Sequence, residues 1–295
     1  MIKPTVIDES IRNGKPCVRL GGIGNFSVFK TFDCGQCFRF DPVSTELDFE
    51  VGGVAFGREV SFGSLGDGLV ITGATADDYA NLWERYLSLD TDYDEIDREI
   101  VTALDADGCA VMTRAADVSK GIRILRQDPW EALCSFIISQ NNNIPRIKKI
   151  ISALSENFGE KIGEGAYSFP TAEALAEAGE EKIFALKTGF RASYITDAAR
   201  KVSSGELNLG EIAACGSYAD AESQLMTVRG VGPKVAACAL LFGFGYTEAF
   251  PVDTWMKKVA ARHFPEGLDH SRFGKAAGIA QQYLFYMERY ISDKA

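Results

Sequence analysis

The stretch "LMTVRGVGPKVAAC", Leu225 to Cys238, sets two glycines between two helix-like segments and one lysine in an otherwise apolar run. The segment "YADAESQLMTV" before the glycines and the run that Pro233 opens both have helical character, so the stretch predicts a helix–hairpin–helix unit. Gly230 and Gly232 let the backbone approach a ligand closely, and the free amides at the start of the second helix attract an anion. We expect this anion to be a DNA phosphate. The alternative is a tight helical turn that binds nothing.

Lys234 lies in the first turn of the second helix, where the positive end of the helix dipole disfavours an ammonium group. The same potential favours the neutral amine, which is the nucleophile that forms Schiff bases. Asp253, in "PVDTW", begins another helix further along the chain. A carboxylate close to a reacting sugar would stabilise an oxocarbenium-like cation, whereas the alternative role is a helix N-cap, and the two roles are compatible.

The composition describes a globular protein whose charge limits its partners. The chain has 295 residues, of which 46% are hydrophobic and 24% charged, and it is long enough for two or three domains. Its net charge of −10 argues against a protein that coats nucleic acid without specificity, because such binding depends on neutralising phosphates. The cluster "RIKK", residues 146–149, nevertheless leaves a local basic face open.

The cysteines and histidines favour free thiols and no metal site. Seven cysteines are scattered along the chain, and Cys34 and Cys37 form one C-x-x-C with no second pair at zinc or iron–sulfur spacing. The histidines are His263 and His270. We therefore expect no metal and no cofactor.

The sequence shows no apolar run that would cross a bilayer and no secretory layout at "MIKPTVIDES". We expect an intracellular protein with no membrane partner, in the cytoplasm or nucleoid of a bacterium or in the nucleus of a eukaryote.

Residues 15 to about 75 predict an antiparallel sheet, because short runs with partial alternation are separated by glycine, aspartate and serine turns. The predicted strands cover residues 17–22, 37–40, 48–64 and 68–73. From about residue 76 the apolar residues are spaced three and four apart, which is typical of helices, and this spacing continues to the C-terminus.

Two neighbouring helices carry clear boundary signals. Asp128 is an expected N-cap, Pro129 suits the first helical position, and Glu131 is placed to close a capping box. The helix that they open, "WEALCSFIIS", is apolar nearly all round and should lie in a core. After "QNNN", the run "IPRIKKIISALSENFG" predicts an amphipathic helix that ends at Gly159.

Several separated motifs together resemble one family. The run "MTVRGVGPKVAACALLFGFGYTEAFPVDTWM" resembles the helix–hairpin–helix, Gly-Pro-rich, aspartate motif of DNA base-excision glycosylases. "FIISQNNNIPRIKKII" and "DCGQCFRF" narrow the resemblance to the 8-oxoguanine DNA glycosylase family, over residues 15 to about 290. The resemblance implies an α+β fold, with an N-terminal antiparallel-sheet domain with helices over residues 1–115 and an all-helical helix–hairpin–helix catalytic domain over residues 116–295.

Carried over to this sequence, the family's roles make Lys234 the nucleophile at C1′ of the damaged nucleotide and Asp253 the catalytic carboxylate. Such enzymes extrude the damaged base from the duplex into a pocket, since the stacked base is out of reach. Gln281 resembles the glutamine that reads the Watson–Crick edge of the base, while Phe285 and Cys238 would sandwich its ring. Without the resemblance, these residues would be an exposed glutamine and two ordinary core residues.

The resemblance also implies how 8-oxoguanine is distinguished from guanine. Gly35, in "DCGQCFRF", resembles the glycine whose carbonyl accepts a hydrogen bond from N7 of the oxidised base, and the same carbonyl would oppose the N7 acceptor of guanine. The alternative for Gly35 is a plain turn glycine.

Four further residues resemble those that occupy the vacated space and read the orphaned cytosine. Asn141 and Arg146 follow "FIISQ", Phe190 would be an aromatic wedge, and Arg191 would be a second cytosine-reading arginine. The alternatives are a capping asparagine and arginines that face phosphates or solvent. The implied partner is duplex DNA containing 8-oxoguanine opposite cytosine, bound by a monomer.

The chain departs from the family pattern at Trp255, where relatives place a histidine that touches the phosphate of the lesion. No cysteine follows Cys238, so the four-cysteine cluster of the iron–sulfur glycosylases is absent from the sequence. The expected function is a bifunctional 8-oxoguanine DNA glycosylase and AP lyase that works through a lysine Schiff base and β-elimination. The alternatives are an alkylpurine DNA glycosylase of the same superfamily, which Lys234 disfavours, and a noncatalytic DNA-binding module.

Overall fold

Six antiparallel strands form one sheet in the N-terminal part of the chain. The structure, a computed structural model, describes residues 4–292. The strands are paired in the order β1-β2-β6-β5-β4-β3. Their bounds are β1 Thr5–Arg12, β2 Lys15–Gly21, β3 Phe40–Pro42, β4 Phe49–Ala55, β5 Arg58–Leu65 and β6 Gly68–Thr72. The predicted antiparallel sheet is therefore confirmed.

The sheet differs from its prediction in two strands. Strand β1 was not predicted, because nearly all of its residues are exposed and they show no burial alternation. The run Cys37–Phe40, predicted as a strand, contributes only Phe40 to β3. Cys37 and Phe38 are buried in different hydrophobic clusters, so this segment is a connection between two cores rather than a sheet element.

Helices make up most of the chain after residue 75, as predicted. The short helix α1 (Val28–Asp33) precedes them. The others are α2 Ala76–Asp78, α3 Glu84–Tyr86, α4 Tyr93–Thr102, α5 Ala106–Ser119, α6 Pro129–Ser139, α7 Ile144–Phe158, α8 Ala172–Ile183, α9 Arg191–Ser203, α10 Leu209–Ala214, α11 Tyr218–Leu225, α12 Pro233–Ala239, α13 Thr254–His263 and α14 Ala277–Ser292. The π-helical segments Tyr79–Trp83, Phe184–Thr188 and Leu240–Phe244 and the 3₁₀ segment His270–Ala276 adjoin them.

The expected helix boundaries are confirmed, with one correction. Asp128 caps α6 by accepting a hydrogen bond from the Glu131 amide at 2.9 Å, and Pro129 opens the helix. The Glu131 carboxylate does not close a capping box. It instead accepts a hydrogen bond from the Arg39 guanidinium, at 3.4 Å. A partly buried cation is a stronger partner for a buried carboxylate than a backbone amide, and this pair ties α6 to the segment before β3.

Two hydrophobic clusters form the interior. One packs the sheet against α1 and the Tyr79–Tyr86 region, and Trp83, Tyr86 and Phe62 are its largest fully buried side chains. The other contains α6, α12 and α14, but also Ile100 of α4 and Met112 of α5. Helices α4 and α5 thus share a core with the later helices, and the division into residues 1–115 and 116–295 stays a proposal.

The loop between α1 and β3 crosses from one cluster to the other. Gln36, at its centre, is fully buried, and its amide nitrogen donates to the carbonyls of Thr31 and Arg123 at 2.8 Å each. Its side-chain oxygen accepts a hydrogen bond from Leu125 at 2.8 Å. Because the oxygen and the nitrogen of the Gln36 amide are both hydrogen-bonded, Gln36 fixes the conformation of this loop. The loop places Gly35 next to α14.

Candidate active site

The predicted helix–hairpin–helix unit is confirmed and consists of α11, the hairpin and α12. Gly230 has a φ of +76°, and a Cβ placed there would meet the Tyr194 ring at 2.3 Å, so the hairpin requires glycine at this position. Gly232 is the N-cap of α12, and no side chain caps the amides of that helix. Uncapped amides at a helix start are suited to an anion such as a phosphate.

Lys234 occupies the first turn of α12, as expected, and is partly buried. Its Nζ lies 5.9 Å from the centroid of the Phe136 ring, on α6. Phe136 in turn stacks on Phe242, with ring centroids 5.3 Å apart. The amine is thus held over an aromatic surface, which reduces its contact with water. Phe136 was not predicted as a site residue, because its apolar neighbours in sequence made it indistinguishable from core.

Cys238 connects the two expected catalytic residues. Burial raises the pKa of its thiol to about 11, the Lys234 ammonium lowers this pKa, and the Asp253 carboxylate raises it. Lys234 and Cys238 are four residues apart and hence on one face of the helix. Both Lys234 and Asp253 affect the pKa of this thiol, and Lys234 does so in part through a side-chain hydrogen bond, so both expected catalytic residues lie near Cys238.

Asp253 is the N-cap of α13, which confirms one of its two expected roles. Its Oδ1 accepts a hydrogen bond from the Met256 amide at 2.8 Å. This bond uses one carboxylate oxygen and orients the group at the start of α13. The other oxygen makes no hydrogen bond within the part of the chain that the structure describes, which leaves it available to a charged ligand.

Helix α14 supplies Gln281 and Phe285, four residues apart. Gln281 is only 5% exposed, and its side-chain oxygen has no hydrogen-bond partner among residues 4–292. A buried amide oxygen without a partner costs free energy, so this one is placed to accept a donor from a ligand. We call Lys234, Cys238, Asp253, Gln281 and Phe285 the pocket group.

Gly35 lies against this group. It has a φ of +80°, and a Cβ placed on it would lie 3.8 Å from the Phe285 ring and 3.9 Å from Ile144. Gln282 holds the same loop, because its Nε2 donates to the Cys34 carbonyl at 2.8 Å. This role of Gln282 was not predicted from the sequence. The adjacent glutamines of "QQ" project from different sides of α14, and only the three-dimensional contacts separate their functions.

The expected DNA-contacting residues also meet in space. Arg191 lies over the Phe190 ring, with its guanidinium carbon 4.5 Å from the ring centroid, and it donates to the Asn141 carbonyl at 2.9 Å. Arg146 donates to the Lys187 carbonyl at 3.3 Å. Asn141, Arg146 and Phe190 are exposed, and Asn141 has a φ of +48°. We call Asn141, Arg146, Phe190 and Arg191 the loop group.

Arg191 differs from the rest of the loop group because it is buried. Its guanidinium also donates to the carbonyls of Gln140, at 2.9 Å from Nε, and of Thr188, at 3.1 Å. Burial lowers the pKa of Arg191, and the nearby positive charge of Arg146 lowers it further. The two positive charges together favour a ligand rich in hydrogen-bond acceptors.

Tyr194 links the loop group to the hairpin and was also missed. Its ring packs on Gly230 and meets Phe190 edge to face, with centroids 5.7 Å apart. Phe190 precedes Tyr194 by four residues, which is the helical spacing that places both rings on one face. That spacing was readable in the sequence, but the contact with Gly230 depends on how α9 packs.

Among residues 4–292, no group of three or more histidine, cysteine, aspartate and glutamate side chains is arranged to hold a metal ion. The same residues include no helix with the length and apolar character needed to cross a membrane.

Two family models match consecutive parts of the chain. The 8-oxoguanine DNA glycosylase N-terminal domain matches residues 22–133, and the HhH-GPD superfamily of base excision DNA repair proteins matches residues 134–271. An N-glycosylase/DNA lyase of Saccharomyces cerevisiae is 42% identical over 159 residues, which are 49% of this chain and 42% of the yeast protein. The chain spans about half the length of the curated relatives it matches.

Solved structures are similar over nearly the whole chain. The 8-oxoguanine glycosylase/lyase of Clostridium acetobutylicum, in complex with duplex DNA containing cytosine opposite 8-oxoguanine, has a TM-score of 0.87 and 37% identity, and the match covers 97% of this chain and 99% of that one. A 3-methyladenine DNA glycosylase from Archaeoglobus fulgidus has a TM-score of 0.63 at 18% identity, over 96% of this chain and 90% of that one, which shows a common fold alone. The chain belongs to the 8-oxoguanine DNA glycosylase family.

Proposed function

We propose that this chain is a bifunctional glycosylase and AP lyase that removes 8-oxoguanine from duplex DNA. The observation that carries the proposal is that Lys234, in the first turn of α12, and Asp253, the N-cap of α13, both lie near the Cys238 thiol. An amine, a carboxylate and a pocket wall are the groups that lysine-dependent excision of a base requires. One relative of known structure, from C. acetobutylicum, is named as an 8-oxoguanine glycosylase/lyase and is bound to duplex DNA containing cytosine opposite 8-oxoguanine.

In the proposed reaction, the neutral amine of Lys234 attacks C1′ of the flipped nucleotide. The bond from C1′ to the base breaks, the base leaves with the electron pair and takes up a proton, and the Asp253 carboxylate stabilises the positive charge that develops on the sugar. Opening of the sugar ring leaves a Schiff base between Nζ and C1′. Loss of a C2′ proton then expels the 3′ phosphate by β-elimination, which nicks the strand.

Recognition of the base is assigned to the rest of the pocket group and to Gly35. The unpaired oxygen of Gln281 would accept a donor on the Watson–Crick edge, and Phe285 with Cys238 would sandwich the ring. The Gly35 backbone lies close to the Phe285 ring, which supports the proposal that its carbonyl accepts a hydrogen bond from N7 of the oxidised base. In guanine N7 is an acceptor and would oppose that carbonyl.

The loop group is assigned to the opposite strand. Asn141 would fill the space that the flipped nucleotide vacates, Phe190 would be an aromatic wedge, and Arg146 and Arg191 would read the acceptor edge of the orphaned cytosine. The presence of two arginines in this group supports this assignment, because charged N–H donors pair strongly with the acceptors of an unpaired base. Gly230 and Gly232 would hold a phosphate at the start of α12.

The test is trapping with borohydride, which reduces the Schiff base to a stable amine and so links protein to DNA. The unmodified protein should give a covalent adduct with duplexes containing 8-oxoguanine opposite cytosine. Lys234→Gln should abolish the adduct and base release while keeping lesion binding, and Lys257→Gln, at an exposed position of α13, is the matched control. An undiminished adduct in Lys234→Gln would remove Lys234 from the mechanism.

Asp253 can be tested without unfolding α13. Asn is as good an N-cap as Asp, so Asp253→Asn removes the charge and keeps the bond to Met256. We expect slow base release at unchanged stability. Asp253→Ala should show the same loss of activity and, in addition, lower the free energy of unfolding by about 1 kcal/mol. Full activity of Asp253→Asn would assign this residue to capping alone.

A further inference from the structure

Trp255 makes a ring contact with the base pocket. It lies in the first turn of α13, two residues after Asp253, and is partly buried. Its ring meets that of Phe285 nearly edge to face, with centroids 6.3 Å apart and an interplanar angle of 75°. Edge-to-face pairs at this distance restrict the orientation of both rings. Phe285 is thereby bounded on one side by Gly35 and on another by Trp255.

Lys258 contacts Trp255, one helical turn further along α13. Its Nζ lies 4.4 Å from the centroid of the Trp255 ring, within the range of a cation–π interaction. Lys258, Trp255 and Phe285 form a continuous series of contacts from the surface of α13 to the pocket. The neighbouring Lys257 is exposed too, but it makes no ring contact in the described part of the chain.

The far end of α13 is anchored separately. Glu288 of α14 is fully buried and pairs with Arg262 at 2.7 Å, and His263 lies 3.5 Å from its other oxygen. This anchor and the Trp255 contact hold α13 against α14 at two points. Asp253 begins the first of these helices and Phe285 lies on the second, so the contact of Trp255 is the one closest to the chemistry.

We propose that Trp255 is a positioning residue that holds the Phe285 ring as a wall for the flipped base, and that Lys258 holds Trp255. The proposal rests on the proposed function, because it assigns a flipped purine to the space beside Phe285. It separates two steps of that function, recognition of the base and attack on the sugar. Stacking of the base requires the Phe285 ring, whereas attack of Lys234 on the C1′ of an abasic site involves no base and does not require it.

The experiment compares two DNA substrates for each variant, with 8-oxoguanine or with a preformed abasic site. Trp255→Leu should lower kcat/KM for the 8-oxoguanine duplex by about two- to tenfold, mainly through KM, and leave borohydride trapping on abasic DNA unchanged. Trp255→Phe keeps an aromatic ring and should restore most of the loss. An equal loss on both substrates, with Trp255→Phe giving no rescue, would overturn the proposal.

Lys258 and Lys257 provide a matched pair. Lys258→Ala and Lys257→Ala each remove one positive charge from the same helix, so they should weaken DNA binding and its salt dependence equally. Only Lys258→Ala should also lower selection for the 8-oxoguanine duplex over the abasic duplex, by about two- to fivefold. Equal selection in the two variants would contradict the assigned role of Lys258.

The fluorescence of Trp255 distinguishes a residue that positions Phe285 from one that only stabilises the fold. Entry of a purine beside Phe285 should change the fluorescence of Trp255, and Trp255→Phe should remove that change while Trp83 and Trp130 remain. A change of the same size in Trp255→Phe would count against the proposal. If the unmodified protein forms no adduct with abasic DNA, the proposed function itself fails, and this result is distinct from every outcome of the Trp255 variants.

Discussion

The pocket group and the loop group are held in place in different ways. The pocket group comes from α12, from the start of α13 and from the middle of α14, and Cys238 and Gln281 are each 5% exposed. The loop group lies at the connection between α6 and α7 and at the start of α9, with most of its side chains exposed. Helix packing therefore shapes the pocket before any ligand arrives, whereas hydrogen bonds from arginine side chains to backbone carbonyls hold the loops.

The two groups also differ in what they leave unsatisfied. In the pocket the Gln281 side chain carries an acceptor with no partner, which is a cost that a bound base would remove. In the loops the strain lies in the backbone, since Asn141 and Lys187 have φ values of +48° and +64°. The Arg191 guanidinium donates to the carbonyls of Gln140 and Asn141 and to the carbonyl of Thr188, the residue after Lys187. The pocket therefore contains an acceptor that lacks a hydrogen-bond partner. The loops contain an unfavourable backbone conformation, which side-chain hydrogen bonds maintain.

The largest expected effect concerns Arg191. Arg191→Leu leaves the carbonyls of Gln140, Asn141 and Thr188 without their donor and should lower the free energy of unfolding by about 3 kcal/mol. Arg146→Leu is the control, because its single long bond to Lys187 is exposed, and it should cost less than about 0.5 kcal/mol. Urea denaturation of both variants measures the difference.

The same pair tests the opposite-strand assignment. Both variants should reduce the preference for 8-oxoguanine opposite cytosine over 8-oxoguanine opposite adenine, and Arg146→Leu should do so by about 1–3 kcal/mol if the contact of Arg146 is bidentate. If the unmodified protein cleaves both duplexes equally, the loop group does not read the orphaned base. Equal stability of the two variants would show that the loops need no such anchor.

The next largest effect concerns the pH dependence of stability, through Glu131 of α6. Helix α6 contacts the pocket group through Phe136, and the carbonyls of Gln140 and Asn141, which follow its end, bind Arg191 of the loop group. Burial raises the pKa of Glu131 to about 7 from its ordinary 4.5, although Arg39 lowers it. The folded state therefore binds this proton more tightly than the unfolded state does, and stability should fall as pH rises from about 4.5 to about 7. The contribution should be at most about 3 kcal/mol, because the side chain is partly accessible and paired.

Urea denaturation at pH 5 and pH 8 tests this contribution. Glu131→Gln should reduce the loss of stability between the two values, while Glu177→Gln, on the exposed side of α8, changes the net charge by the same amount and serves as the control. An unchanged pH dependence in Glu131→Gln would place its titration outside this range. If α6 supports both groups, base release and opposite-base preference should decline together as the helix is destabilised.

The smallest effect separates two adjacent glutamines. Gln281→Met removes the unpaired buried oxygen at similar volume and should raise the free energy of unfolding by about 1 kcal/mol while weakening lesion binding. Gln282→Met breaks the bond to Cys34 and should lower the free energy of unfolding by about 1 kcal/mol. Thermal denaturation and lesion binding are measured for both. A loss of stability in Gln281→Met would mean that its oxygen is satisfied in the free protein.

The sequence by itself determined the elements with strong local chemistry. The hairpin between α11 and α12, the capping aspartates Asp128 and Asp253, and the antiparallel sheet are all confirmed, because glycine, proline and capping residues act on backbone within a few positions. The family resemblance also rests on such local motifs. Strand β1 was not predicted, because an exposed edge strand shows no alternation of buried and exposed residues. The role of Glu131 was not predicted either, because its partner Arg39 is distant in sequence whereas the expected capping amide is close.

Only the tertiary structure decided which of the chemically capable residues meet. Gln281 and Gln282 are neighbours in the chain, yet one has an unmet oxygen and the other is bonded to a loop 248 positions earlier. Trp255 reaches Phe285 and Tyr194 reaches Gly230 through the packing of separate helices. Contacts between distant segments depend on the relative placement of whole helices, which many weak packing interactions set jointly, so no short stretch of sequence encodes them.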